Sequence, residues 1–471
     1  MSTIPLPERP NVEQLKKRAK EIQRERGIPL HEAQRDLARA YGFASWPKLA
    51  KHIAVVTALT REPDTVAPLT DPADEFLRLA CLTYGDDSPA RRARASSLLT
   101  PELARRNIWI AAATASRQAV HEMLAADPTL ASTEGGPFRW PPLMYLAYAR
   151  FEQVPSWADT LGTAVHLLDA GADPNAGYLW HGFPSPFTVL TGVFGGGEQG
   201  PENQSPHPHS VALARLLLHN GADPNDSQTL YNRQFESGHE HLELLFAFGL
   251  GREAKGPWHE RLPTALDAPT EMLRQQLRWA IHHNMVERVR LLAENGVDLV
   301  TPFDDERFQH AHGRTPAQFA VVCGHKRVVA TLAEHGATAD HVSLVDQFVG
   351  SILAGGGEAG VIRDTHPDVP RAAQQARPSL VVQAAATRRP NAVMGAVSNG
   401  FDVNALGRSD SPCEQPWQTA LHTAVERNDF EMIELLITLG ADPSIEDARF
   451  HATPKGWAEH FGNADLAALL T

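Results

Sequence analysis

A chain of 471 residues with 42% hydrophobic and 21% charged residues has the composition of a folded, water-exposed protein, and it is too long for one compact core. No run approaches the ~20 apolar residues of a membrane-spanning helix, and Pro and charge stand where a signal peptide would carry its apolar segment. The net charge of −13 is uneven: through residue 61 twelve Lys or Arg face six acids, leaving −19 for the rest, which disfavours nucleic acid as a partner over most of the surface.

Residues 1–60 read as a small basic helical module. Val12, Leu15, Ala19 and Ile22 form one apolar stripe, which Gly27 stops. Leu30, Ala33, Leu37 and Tyr41 form a second, which ends at Gly42, and Ser45-Trp46-Pro47 opens a third helix with a cap and an early proline. Lys16, Lys17, Lys20 and Arg24 interleave with Glu13, Glu21 and Glu25, so the first helix presents a paired, solvated face rather than a nucleic-acid surface. "REPDTVAPLTDPA" (61–73) has the composition of a linker.

From residue 74 onward one pattern recurs. "LLDAGADPN" (167–175), "LLLHNGADPN" (216–225) and "LLITLGADP" (435–443) each join an apolar helix end to Gly-Ala-Asp-Pro. The glycine stands where a helix C-cap needs a left-handed residue, and the proline cannot continue a helix. Ahead of the last copy, Thr419 can cap a first helix in "QTALHTAV", and Asn428-Asp429 breaks it before the second. Each unit is helix, tight turn, helix, extended loop. A single such hairpin cannot bury its own apolar face and must stack on its neighbours.

"TALHTAVERNDFEMIELLITLGADPSIED" (419–447) closely resembles an ankyrin repeat, and "RTPAQFAVVCGHKRVVATLAEHGATAD" (314–340) is a second good match. Weaker copies lie at 108–132, 278–299 and 380–404, and 452–471 stops after its second helix as a terminal cap would. The segment from "LKKRAK" to "YGFASWPKLAKHI" resembles a small helical module found ahead of ankyrin arrays in bacterial proteins. The resemblance implies an all-α fold: an ankyrin-repeat α-solenoid of about ten helix-pair units over residues 74–471, each with a protruding finger loop. It further implies a general recognition surface, binding another protein through the concave finger face.

The turn glycines are spaced more widely than a ~33-residue unit allows. The extra residues fall near 176–210, 251–270, 301–314 and 404–417, while "DTHPDVP" (364–370) reads as replacing one finger. Insertions of this kind map to one face of a repeat protein, often the binding face. Tyr178, Trp180, His181, Phe183, Phe303, Asp304, Asp305, Arg408, Asp410 and Trp417 lie in the long fingers or at their exits, as does Phe450. Aromatic residues with Arg and Asp are the composition of binding hot spots, and each aromatic has the alternative of plugging the next unit's core.

Catalytic signatures are missing. His207/His209, His239/His241 and His282/His283 are the densest of 22 histidines, and none has the HExxH spacing that puts two imidazoles on one helix face. The Gly triplets at 195–197 and 355–357 lack the Lys-Ser/Thr of a phosphate loop. Cys81, Cys323 and Cys413 are scattered, without metal or disulfide spacing. The expectation is a monomeric cytoplasmic binding protein with no cofactor and no metal. The rival is a small-molecule-binding protein or enzyme whose pocket is formed by the long fingers and the 195–210 insertion.

Overall fold

The computed structural model describes residues 6–7, 10–252, 256–263, 265–308, 310–408 and 416–470. It is mostly helical and divides into two compact units, Met1–Met272 and Leu273–Thr471.

The first unit opens with three helices, Val12–Arg26, Leu30–Ala40 and Trp46–Leu59. Asn11 caps the first by accepting from the Glu13 and Gln14 amides at 2.8 and 3.4 Å, and Gly27 ends it with φ +63°. The apolar stripes meet as a small core of Leu15, Ala19, Leu37, Leu49 and Ile53. On the outer face Lys16 pairs with Glu13 at 2.6 Å and Arg18 with Glu21 at 3.0 Å, so neighbouring acids offset part of the basic charge.

The third helix runs directly into strand β1 (Thr60–Arg61), the start of the segment expected as a linker. β1 pairs in parallel with β2 (Gly177–Trp180), which pairs antiparallel with β3 (Pro186–Thr188). Val56, Leu179, Trp258 and Leu262 close a second small core there. The 251–270 insertion supplies Trp258 on a short helix, Pro257–Arg261, and its indole donates to the Asn175 carbonyl at 3.0 Å.

Helix hairpins follow: Ile108–Ala113 with Arg117–Ala126, Pro142–Tyr148 with Trp157–Asp169, Val189–Phe194 with Ser210–His219, and Ser227–Arg233 with Glu240–Ala247. First helices pack on first helices and second on second, which buries the face that one hairpin leaves bare. Pro142–Tyr148 is apolar on every side and wholly buried. Around it Trp140 stacks on Tyr178 (centroids 5.1 Å, 27°), Tyr178 stacks on Phe187 (5.5 Å, 27°), and the Tyr148 hydroxyl donates to the Thr188 carbonyl at 2.8 Å.

The second unit repeats the plan with Val286–Glu294, Pro316–Val322, Lys326–Glu334, Leu344–Leu353, Leu380–Ala386, Pro390–Ser398, Ala420–Glu426, Phe430–Thr438, Pro454–His460 and Ala464–Leu469. Within residues 364–370 no finger projects: 366–368 form a short break between helices Glu358–Thr365 and Val369–Ala376. Pro367 supplies the break, because it has no N–H to give to the preceding turn.

The recurring Gly-Ala-Asp-Pro has a local explanation. Gly171, Gly221 and Gly440 have φ of +94°, +91° and +91°, which only glycine adopts without cost. Asp173, Asp223 and Asp442 then accept from the amide two residues on, at 2.8, 2.9 and 2.9 Å, and fix the turn into the finger. Asparagines tie one finger to the next. Asn175 donates to the Gly221 carbonyl and accepts from the Asp223 amide, both at 2.8 Å, and Asn404 accepts from the Asp442 amide at 2.8 Å.

Candidate functional site

The longest described finger of the first unit is the β2–β3 hairpin. His181 and Gly182, with φ of +50° and +80°, reverse the chain at its tip. The tip is braced from beneath: the His181 amide donates to the Arg61 carbonyl at 3.0 Å, and its Nε2 donates to the Asp64 carboxylate at 2.8 Å. The Trp180 indole donates to the Thr83 carbonyl at 3.0 Å. Phe183 stacks on Trp180 (5.9 Å, 17°) and is 58% exposed. Tyr178, on the same strand, is only 2% exposed and belongs to the aromatic core.

In the second unit the finger at 301–314 is held shut by reciprocal bonds, Phe303 amide to Arg314 carbonyl at 2.9 Å and Gly313 amide to Phe303 carbonyl at 2.8 Å. Phe303 is 5% exposed; it packs against Phe319 and lies 5.0 Å beneath the Arg274 guanidinium. Asp304 is exposed, and Asp305 is half-buried. Asp305 accepts from Arg307 at 2.9 and 2.7 Å, and that pairing holds its carboxyl below the usual range. The two neighbouring carboxylates thus differ in surroundings, one solvated and one committed to an arginine.

Arg408 is half-buried, and Asp410 lies outside the described residues. Trp417 is half-buried against Trp457 (5.3 Å) and Phe450 (5.6 Å), so it seals the last hairpin's core, while Phe450 remains largely exposed. Exposure therefore separates the nine expected residues that the structure describes. Phe183 and Asp304 face solvent; Trp180, His181, Asp305, Arg408 and Trp417 are half-buried; Tyr178 and Phe303 are core.

His325 and His282 belong to the packing between hairpins. His325 donates from Nε2 to the His282 carbonyl at 3.1 Å, so its Nδ1 accepts from Arg389 at 3.0 Å. Arg389 also donates to the Cys323 and Leu353 carbonyls at 2.9 and 3.1 Å, joining the C-terminal ends of two successive first helices. Burial pushes His325 down to about 4 and His282 to about 3, keeping both neutral. Among the described residues no group of three His, Cys, Asp or Glu is placed to hold a metal ion. Cys81 and Cys323 are buried, and burial pushes each thiol up to about 12, far from a reactive thiolate.

Residues 417–448 match the family model of the ankyrin repeat. The matched span takes in the Thr419–His422 capping box, the two helices Ala420–Glu426 and Phe430–Thr438, and the Gly440–Asp442 turn. An ankyrin repeat is an element of protein–protein interaction in general. No curated protein matches the chain. No helix among the described residues is long and apolar enough to cross a membrane.

Several residues that shape the molecule have no signature in the sequence. Arg150 in "LAYARFEQ" looks like an exposed helix end, yet it is buried. Asp226 follows a Gly-Ala-Asp-Pro copy and reads as one more turn acid. In the fold it caps Ser227–Arg233, accepts from the Thr229 amide at 2.8 Å and from Thr188 Oγ, and burial lifts its carboxyl to about 6.

Proposed function

We propose that this protein is a regulatory or scaffolding module that binds another protein through its finger loops. In this reading residues 1–60 are a helical module, 61–73 its connection, and 74–471 an ankyrin-type array of about ten helix-pair units. The observation that carries it is the tip of the β2–β3 finger. An exposed Phe183 lies flat on a Trp180 whose indole is already hydrogen-bonded, so the aromatic pair is rigid before any partner arrives. Preorganised aromatic anchors lose little entropy on binding and are typical of interface hot spots. Asp304 offers solvated charge on a finger of the second unit, and Asp305 and Arg408 stand half-buried at that unit's fingers.

A stable protein partner needs about 800 Å² of surface on each side. The test is capture of partners from native lysate by the full chain and by the Phe183→Ala/Asp304→Ala variant. The expected result is a partner retained by the wild type and reduced at least tenfold by the variant, with the melting temperature unchanged. Equal recovery by both would remove the finger surface from the account.

A further inference from the structure

Ser205, Pro206, His207 and Pro208 of the 195–210 insertion form one wall of an open cavity of about 380 Å³ in the first unit, and none of the expected finger residues lines it. That volume is within the range of small-molecule sites, ~300–1,000 Å³. Ala113, Leu146, Phe151 and Pro206 give it apolar walls; Arg92, Arg150 and His207 give it polar ones.

Arg150 is 4% exposed, and its N–H groups hold the insertion down. Nε donates to the Ser205 carbonyl at 3.0 Å, Nη1 to the Ala147 and Ala149 carbonyls at 2.9 Å each, and Nη2 to the Gly192 carbonyl at 2.7 Å. All four acceptors are neutral carbonyls, so no carboxylate pairs with the buried cation through these bonds. Burying a guanidinium whose direct partners are all neutral is costly, and the buried Asp87 carboxylate that acts on Arg150 from beyond bonding range is itself paired with Arg91 at 2.8 Å. Arg92 lies at the same cavity and donates to the Asn203 and Glu202 carbonyls at 2.9 and 2.6 Å.

His207 is 5% exposed. Its Nδ1 accepts from the His209 amide at 3.0 Å, which places the imidazole proton on Nε2. The Nε2–H has no hydrogen-bond partner among the described residues, and the ring lines the cavity. One acid, Glu152, lines the cavity and is exposed, so the local balance stays positive with both arginines charged.

We infer that this cavity binds a small organic carboxylate with an apolar body, its carboxylate taken by His207 Nε2–H beside the Arg92 and Arg150 guanidiniums. An acceptor-only anionic group supplies both a partner for the unmatched N–H and a counter-charge for the cations. The walls suit a ring or short branched chain rather than a second charged end. The site does not depend on the finger surface, so failure of either proposal leaves the other intact.

The probes are benzoate and its uncharged isostere benzamide, with inorganic phosphate as a third arm, on the full chain by calorimetry and thermal shift. Benzoate is expected to bind saturably and raise the melting temperature, with benzamide and phosphate each at least tenfold weaker. His207→Ala, whose ligand-free melting temperature is measured first, is expected to stay folded and to lose at least tenfold in benzoate affinity. Arg92→Met, on a different segment, should show a loss in the same direction and guards against misfolding of the first variant. Absence of saturable benzoate binding, equal binding of benzamide, tighter binding of phosphate, or undiminished binding by both variants would each overturn the assignment.

Discussion

Tyr178 and Phe183 stand five positions apart in one finger, and only packing distinguishes them. Tyr178→Ala should cost about 3–5 kcal/mol, read as a drop in the denaturant midpoint, because it empties a stacked core position between Trp140 and Phe187. Phe183→Ala should change stability by less than about 1 kcal/mol and act on binding alone. Asp226 supplies a pH signature at the same scale. Its folded carboxyl sits at about 6, above the unfolded value near 3.9, so the folded state holds the proton longer. Stability from this group is present below pH ~4 and falls by about 3 kcal/mol as pH rises through ~6. Asp226→Asn should flatten the pH 4–6 part of a urea-midpoint profile; an unchanged slope would remove Asp226 as its source. None of this was legible in the sequence. An alternating Tyr-Leu-Trp-His tip gives no sign of which ring is covered, because the cover comes from Trp140 and Tyr148, far away along the chain.

The hairpins and their turns were far more legible, because each Gly-Ala-Asp-Pro residue acts on its immediate neighbours. The left-handed glycine and the Asp turn both appear at the Gly and Asp of each Gly-Ala-Asp-Pro copy. The asparagine that ends two copies reaches further, to the next finger, and Asn175→Ala should leave the Gly221 carbonyl and the Asp223 amide without their partner. A loss of about 1–3 kcal/mol is expected, with faster hydrogen exchange over 221–225; a neutral effect on both would deny that the ladder couples neighbouring units. The insertion at 195–210 was legible only as an irregularity. Its anchor, Arg150, lies about fifty residues earlier, and a buried arginine in an unremarkable helix end leaves no local trace. Gly196 shows the same dependence on distant packing. At φ +80° an added Cβ would stand 2.8 Å from the Asn232 carbonyl oxygen, so close packing on a distant segment requires glycine here.

Across whole units, buried histidines set a sign opposite to Asp226. His325 and His282 are held neutral at about 4 and about 3, whereas unfolded imidazoles take a proton near 6.5. Their contribution is intact above pH ~6.5 and is lost as pH falls toward 4, about 3 kcal/mol for His325 alone. Hydrogen exchange corrected for its intrinsic pH dependence should show Pro316–Val322 losing protection between pH 7 and 4.5. Constant protection would contradict the neutral-imidazole account. In the first unit, the helix Trp46–Leu59, strand β1 and the segment that follows it brace the finger that carries Phe183, through Val56, Arg61 and Asp64. The sequence revealed the module's three helices but not this docking, since β1 is two residues long and its partner lies 119 positions away, at Leu179 and Trp180. The central claim is that a partner protein lands on the finger tips. The most direct measurement is hydrogen–deuterium exchange of the full chain with and without its captured partner. New protection is predicted over residues 181–185 and 301–306. Protection confined to the second helices or to residues 12–59, with both finger tips unchanged, would contradict it.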